Sequence, residues 1–121
     1  VIAVEGTELP ILDPAAFERT AGYLTSDVIR SYLNTLAERG AALLEALESP
    51  QVPAGKNDER ASAAHALAGS AGLLGFARLA STGRRFEHAV QAGASDVQAI
   101  ADELVATIQA TLQEINNRLP C

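Results

Sequence analysis

Hydrophobic positions recur at three- and four-residue spacing through most of this chain, which is the period of a helix with one buried face. Val1 to Leu12 shows no clear period and reads as an extended lead-in. Asp13-Pro14 then marks a helix start, because Asp can accept a backbone N–H and Pro suits the first helical position. This short helix runs to about Thr20 and ends at Gly22. A second helix is predicted from Ser26-Asp27 to Ser49-Pro50, with a stripe of Ile29, Leu33, Leu36, Gly40, Leu43 and Leu47 widened by Val28, Tyr32 and Leu44. Pro50 to Lys56 holds two prolines and a glycine and reads as a loop. A third helix is capped by Asn57, points Ala64, Leu67, Ala71 and Leu74 inward, and ends at Gly75. The fourth runs from Ala77 to Gln91 with Leu79, Gly83, Phe86 and Val90 inward, and Gly93 closes it. Ser95 and Gln98 have the spacing of a capping box for the last helix. That helix carries Val97, Ile100, Leu104, Ile108, Leu112, Ile115 and Leu119. No strand pattern, repeat or low-complexity run is present.

Four amphipathic helices with short connections predict an all-α fold, an antiparallel up-down four-helix bundle with a short additional N-terminal helix. The length of 121 residues fits a single domain, 1–121, with a lead-in over 1–12 and the bundle over 26–119. Such a bundle buries its own stripes, so a monomer is expected.

Composition narrows the function. Much of the 48% hydrophobic content is alanine, which favours helix at little entropic cost. The net charge of −6 argues against a nucleic-acid partner and against docking on an anionic membrane surface. No apolar run approaches the roughly 20 residues that span a bilayer, and no signal peptide is visible. The one cysteine, Cys121, cannot form an internal disulfide, which points to a reducing compartment. A first residue of Val1 rather than methionine reads as an excised piece of a longer protein or a processed chain.

The chemistry concentrates in the third helix, from His65 to Gly75. Positions 61, 68, 69 and 72 neighbour His65 at one- and two-turn spacing, and they hold Ala61, Ala68, Gly69 and Gly72. Each interior glycine costs a helix up to about 1 kcal/mol relative to alanine. A helix that accepts this loss keeps the surface beside His65 open. A phosphoryl-transfer histidine needs that access, and neutral imidazole is nucleophilic near neutral pH. Its second nitrogen then needs an acceptor. His65 lies ten residues before Gly75 and Glu87 twelve after it, so a tight antiparallel connection sets them at nearly the same height. Glu87 can therefore accept the Nδ1 hydrogen and leave Nε2 free to attack.

The run His65-x-Leu67-x-Gly69-Ser70-Ala71-x-x-Leu74-Gly75, followed by a helix with Phe86-Glu87, resembles the histidine-containing phosphotransfer domains of multistep phosphorelays, of the kind found at the C-terminus of bacterial hybrid sensor kinases. The motif likeness spans about residues 57–92. It implies that His65 is phosphorylated, Gly69 clears access and Glu87 orients the ring. It also implies a receiver domain as partner, which brings the aspartyl phosphate and magnesium, so this chain needs no cofactor and no kinase activity of its own. The resemblance implies a cytoplasmic location, either free or tethered to the inner membrane through a larger parent sensor kinase. The docking face is expected around His65 from the second and third helices, with Ala61, Ala68, Gly72 and Leu73 as contributors. One position departs from the pattern: Ala68 stands where the family commonly carries lysine. Arg84 lies nine residues after Gly75, level with Ala68, and is placed to supply the charge.

Plainer roles compete at several positions. Arg84-Arg85 has a solvated basic pair as its default, and Ser70 is read as packing. His88 points about 100° away from Glu87 around the helix, so no metal site is expected from His65, Glu87 and His88. Two classes remain open: a phosphorelay intermediate, and an interaction module whose same face binds and gates another protein with little or no phosphotransfer. No phosphate-cradling loop or nucleophile–base–orienter set supports a free-standing enzyme.

Overall fold

A computed structural model of the chain describes residues 9–48 and 56–118, and every regular element among them is a helix. The helices are α1 (Pro14–Ala21), α2 (Ser26–Glu48), α3 (Lys56–Leu73), α4 (Ala77–Ala92) and α5 (Val97–Arg118). The four long helices pack in a closed cycle, α2 on α3, α3 on α4, α4 on α5 and α5 back on α2, while α1 touches α3. This is the up-down bundle with a short extra helix that the periodicity predicts.

The core follows the stripes. Leu33, Leu36 and Leu43 of α2, Leu67 of α3, Leu79 and Phe86 of α4, and Leu104, Ile108 and Ile115 of α5 are buried together with Leu74 and Phe76. Each large apolar side chain withdrawn from water contributes about 1.5–3 kcal/mol. Val28 and Tyr32, expected to widen the α2 stripe, are instead exposed. They sit at the rim, in the first turns of α2, on a side that no helix among the described residues covers. Leu119, the predicted stop at Ser49-Pro50 and residues 1–8 and 51–55 lie outside the described residues.

The turns that join α3 to α4 and α4 to α5 share one design. Gly75 has φ +87° and Gly93 φ +63°, a left-handed conformation that favours glycine. At the first, Phe76 N–H donates to Ala71 O (2.8 Å) and Gly75 N–H to Gly72 O (3.2 Å). At the second, Ala94 N–H donates to Ala89 O (2.9 Å) and Gly93 N–H to Val90 O (3.1 Å). Both are Schellman caps, which satisfy terminal carbonyls and turn the chain sharply.

Helix starts differ more from expectation. Asp13 caps α1 through its side chain, accepting from the N–H groups of Ala15 and Ala16. Helix α3 begins at Lys56, so Asn57 falls within its first turn rather than before it. Helix α5 begins at Val97, two residues after Ser95, so Ser95 and Gln98 do not hold the cap and third helical positions of a capping box. The Gln98 side-chain nitrogen donates forward to Asp102 (2.9 Å). Helix α4 has no side-chain cap. The carbonyl of Pro10 accepts from Arg78 N–H (3.1 Å), so the lead-in itself satisfies one of the orphan donors of α4. Arg78 Nε also donates to Leu9 O (2.7 Å), and Asp13 N–H to Gly75 O (2.7 Å). The lead-in thus ties down the turn that aligns α3 with α4.

Candidate functional site

The site is built on the α3–α4 pair, the most extensive contact in the bundle. Small residues allow the two backbones to approach closely. A β-carbon placed on Gly83 would stand 3.1 Å from Ala64 O and 3.2 Å from Ala68 Cβ. Ala61, Ala64, Ala68 and Ala71 of α3 are all buried.

This close approach aligns the polar pair. His65 Nδ1 and Glu87 Oε1 are 2.9 Å apart, a good hydrogen-bond distance. With the carboxylate ionised, Nδ1–H donates and Nε2 is left unprotonated on neutral imidazole. The His65 side chain is 71% exposed while that of Glu87 is 16% exposed. A semi-enclosed carboxylate thus holds a ring that otherwise projects into solvent. The other carboxylate oxygen, Oε2, accepts from Gln91 Nε2 at 3.4 Å. Gln91 was not singled out in the sequence, although its four-residue spacing from Glu87 was visible there.

The remaining expected residues divide into two groups. Gly69 is exposed, and an added β-carbon would meet nothing within 4 Å, so the approach beside His65 is open. Gly72 is exposed too, and Leu73 is 59% exposed. Ala61 and Ala68 do not contribute to a surface: they are 4% and 1% exposed and pack into the bundle. The helical wheel accounts for the split. At 100° per residue, Ala61 and Ala68 lie about 40° and 60° to one side of His65, while Gly69 and Leu73 lie about 40° and 80° to the other. Helix α4 covers the first flank and leaves the second bare.

Arg84 stands at the expected height, but its guanidinium lies elsewhere. One terminal nitrogen is 3.8 Å from where a Gly72 β-carbon would be. Helical side chains lean toward the N-terminus of their own helix. On antiparallel α4 that direction leads toward the C-terminal end of α3, away from His65. Arg85 pairs with Glu103 of α5 and Arg60 donates to Ala46 O near the end of α2, so both serve the scaffold. His88 is exposed. Among the described residues, no group of three or more His, Cys, Asp and Glu is placed to hold a metal ion, and no helix is long and apolar enough to cross a membrane.

Exposed apolar side chains also occur outside α3, toward the same end of the bundle as Leu73. Tyr23, Val28 and Tyr32 belong to the start of α2 and the turn before it. Because Arg60 reaches Ala46, α2 runs antiparallel to α3, and its first turns lie toward the Leu73 end. Thr20 Oγ1 donates to Leu73 O (2.7 Å), which fixes the end of α1 there as well.

A family model described as the Hpt domain matches residues 27–118, which takes in nearly all of α2 and the whole of α3, α4 and α5. No curated protein and no solved structure matches the chain.

Proposed function

The chain belongs to the Hpt domain family, and from that membership we propose that His65 is the residue that accepts and passes on the phosphoryl group. The family consists of histidine-containing phosphotransfer domains, phosphocarriers of two-component signalling that interact with receiver domains and lack kinase activity of their own. The observation that carries the assignment to His65 is its geometry: an exposed imidazole beside open Gly69, held through Nδ1 by Glu87.

The step follows from that arrangement. The Nε2 lone pair attacks phosphorus of an aspartyl phosphate on the receiver, in line with the bond to the carboxylate oxygen. That P–O bond breaks and its electron pair returns to the aspartate. The ring becomes a phospho-imidazolium that keeps its Nδ1 proton, and the adjacent Glu87 carboxylate stabilises the new positive charge. Onward transfer reverses these events on a second receiver. The receiver supplies the magnesium ion; this domain supplies a positioned nucleophile and a docking face. His65, Gly69, Gly72 and Leu73 form the centre of that face, and Val28 and Tyr32 extend it. Arg84, beside Gly72, is its basic edge and meets acidic groups of the receiver. The reading places the domain as a monomer in the cytoplasm, free or within a larger sensor kinase.

The test is phosphoryl transfer from phosphorylated receivers, with magnesium at neutral pH, to the native protein and to His65→Gln. Acid-labile label on the native protein and none on the variant is the expected result. No label from several receivers, with helicity intact, would overturn the reading. Retained receiver binding in that case would favour an interaction module that uses the same face.

A further inference from the structure

The openness that gives a partner access to His65 also removes the packing that would otherwise hold its ring. Gly69 offers no atoms, and the side chain is 71% exposed. The ring's orientation therefore depends on its hydrogen bond to Glu87. The Glu87 stem is largely enclosed, with its side chain 16% exposed, and the remaining freedom is rotation of the terminal carboxylate, which one hydrogen bond through Oε1 does not fully fix. Gln91 supplies the second contact, a longer hydrogen bond of 3.4 Å to Oε2. It lies one helical turn beyond Glu87 on α4, and the N-terminal lean of helical side chains carries its amide back over the carboxylate.

The chemistry of this contact suits the task. An amide donates without carrying charge, so it fixes the carboxylate while leaving its full negative charge for the imidazole. A lysine or arginine at this position would compete with the ring for that charge. The nearby cations lie elsewhere: Arg85 pairs with Glu103, and the exposed Arg84 guanidinium is beside Gly72.

We propose that Gln91 is a positioning residue for the phosphoacceptor: by holding Oε2 of Glu87 it keeps Oε1 on Nδ1–H of His65, and so keeps Nε2 unprotonated and aimed outward. This rests on the reading of His65 as the phosphorylated residue. The test uses Gln91→Glu, which keeps the side chain's shape but loses the donor, and Gln91→Ala, which removes the contact without adding charge. Both substitutions are at an exposed helical position, and circular dichroism checks the fold. Long-range nitrogen–proton NMR on histidine-labelled protein reads the tautomer of neutral His65, and transfer from a saturating phospho-receiver gives the rate.

In the native protein the Nδ1–H tautomer is expected to dominate. Both variants are expected to shift population toward Nε2–H and to slow transfer by about two- to tenfold, the effect of one modest hydrogen bond, with receiver affinity unchanged. A native tautomer ratio in both variants would overturn the proposal, as would a shifted ratio with an unaltered rate. If the native protein takes up no phosphate while the variants still shift the tautomer, the phosphorelay reading fails and Gln91's hold on the His65–Glu87 pair stands.

Discussion

Gly83 on α4 faces Ala68 on α3 so closely that a β-carbon at Gly83 would stand 3.2 Å from Ala68 Cβ, with Ala64 O at 3.1 Å. This contact brings Glu87 into reach of His65 one turn farther along. It also gives a structural setting for alanine at position 68, since a lysine there would have to leave a site that is 1% exposed. Gly83→Ala tests it. Alanine favours helix by about 1 kcal/mol over glycine, but overpacking a rigid contact costs typically about 1–3 kcal/mol. The neighbours are a helix carbonyl and a short side chain, neither able to swing away, so a net loss of about 1 kcal/mol is expected. Denaturant unfolding measures it. A variant as stable as the native protein would mean that the helices are less tightly apposed than described.

Gly69 should show the opposite balance. Its missing side chain meets open space, so Gly69→Ala is expected to stabilise the fold by about 0.5–1 kcal/mol through helix propensity alone. Gly69→Leu is expected to fold but to slow phosphoryl transfer on the order of tenfold, equivalent to about 1.4 kcal/mol at the transition state. Thermal melts and transfer rates on the same two variants separate the effects. Unimpaired transfer to Gly69→Leu would show that this glycine does not guard the approach.

Much of this architecture was legible in the sequence because a helical stripe reports directly on burial. Leu33, Leu36, Leu67, Leu79, Leu104 and Ile108 all follow from spacing, and Gly75 and Gly93 mark turns that need a left-handed residue. The His65–Glu87 distance follows from counting residues on either side of a tight turn. Spacing on one helix does not reveal which flank its neighbour covers. Ala61 and Ala68 therefore share His65's face by spacing, but in the structure both are buried, Ala68 against Gly83 of α4. Val28 and Tyr32 show the same limit at the rim of α2. Arg84 shows another: the height of a Cα can be counted, whereas the lean of a long side chain carries its charge almost a turn away.

Thr82 is fully buried, and its hydroxyl has no hydrogen-bond partner. Thr107 and Thr111 on α5 are also buried, but their hydroxyls donate to Glu103 O (2.9 Å) and Thr107 O (2.7 Å). A buried polar group without a partner costs about 1–3 kcal/mol. Thr82→Val keeps the branched shape and removes the orphan, so stabilisation by about 1 kcal/mol is expected. Thr111→Val removes a made bond and should be neutral or destabilising. Equal shifts of the two unfolding midpoints would mean that the Thr82 hydroxyl does find a partner.

The position of Arg84 separates docking from chemistry. Its guanidinium lies beside Gly72, seven residues beyond His65, which is about 10 Å along the helix at 1.5 Å per residue. A charge at that distance, exposed to solvent, is largely screened from a phosphoryl group on Nε2. It remains well placed to meet acidic side chains of a bound receiver, where a rim charge acts mainly on association rate. Arg84→Ala is therefore expected to weaken receiver affinity several-fold at low salt and less at high salt, while the transfer rate within the bound complex stays native. Rapid-quench transfer at limiting and saturating receiver, repeated across ionic strength, resolves the two. A slower rate at saturation, or a shortened phosphohistidine lifetime in the free domain, would instead place the guanidinium on the phosphoryl group itself. In that case Arg84 would have to swing along α3 toward Gly69 when His65 is phosphorylated.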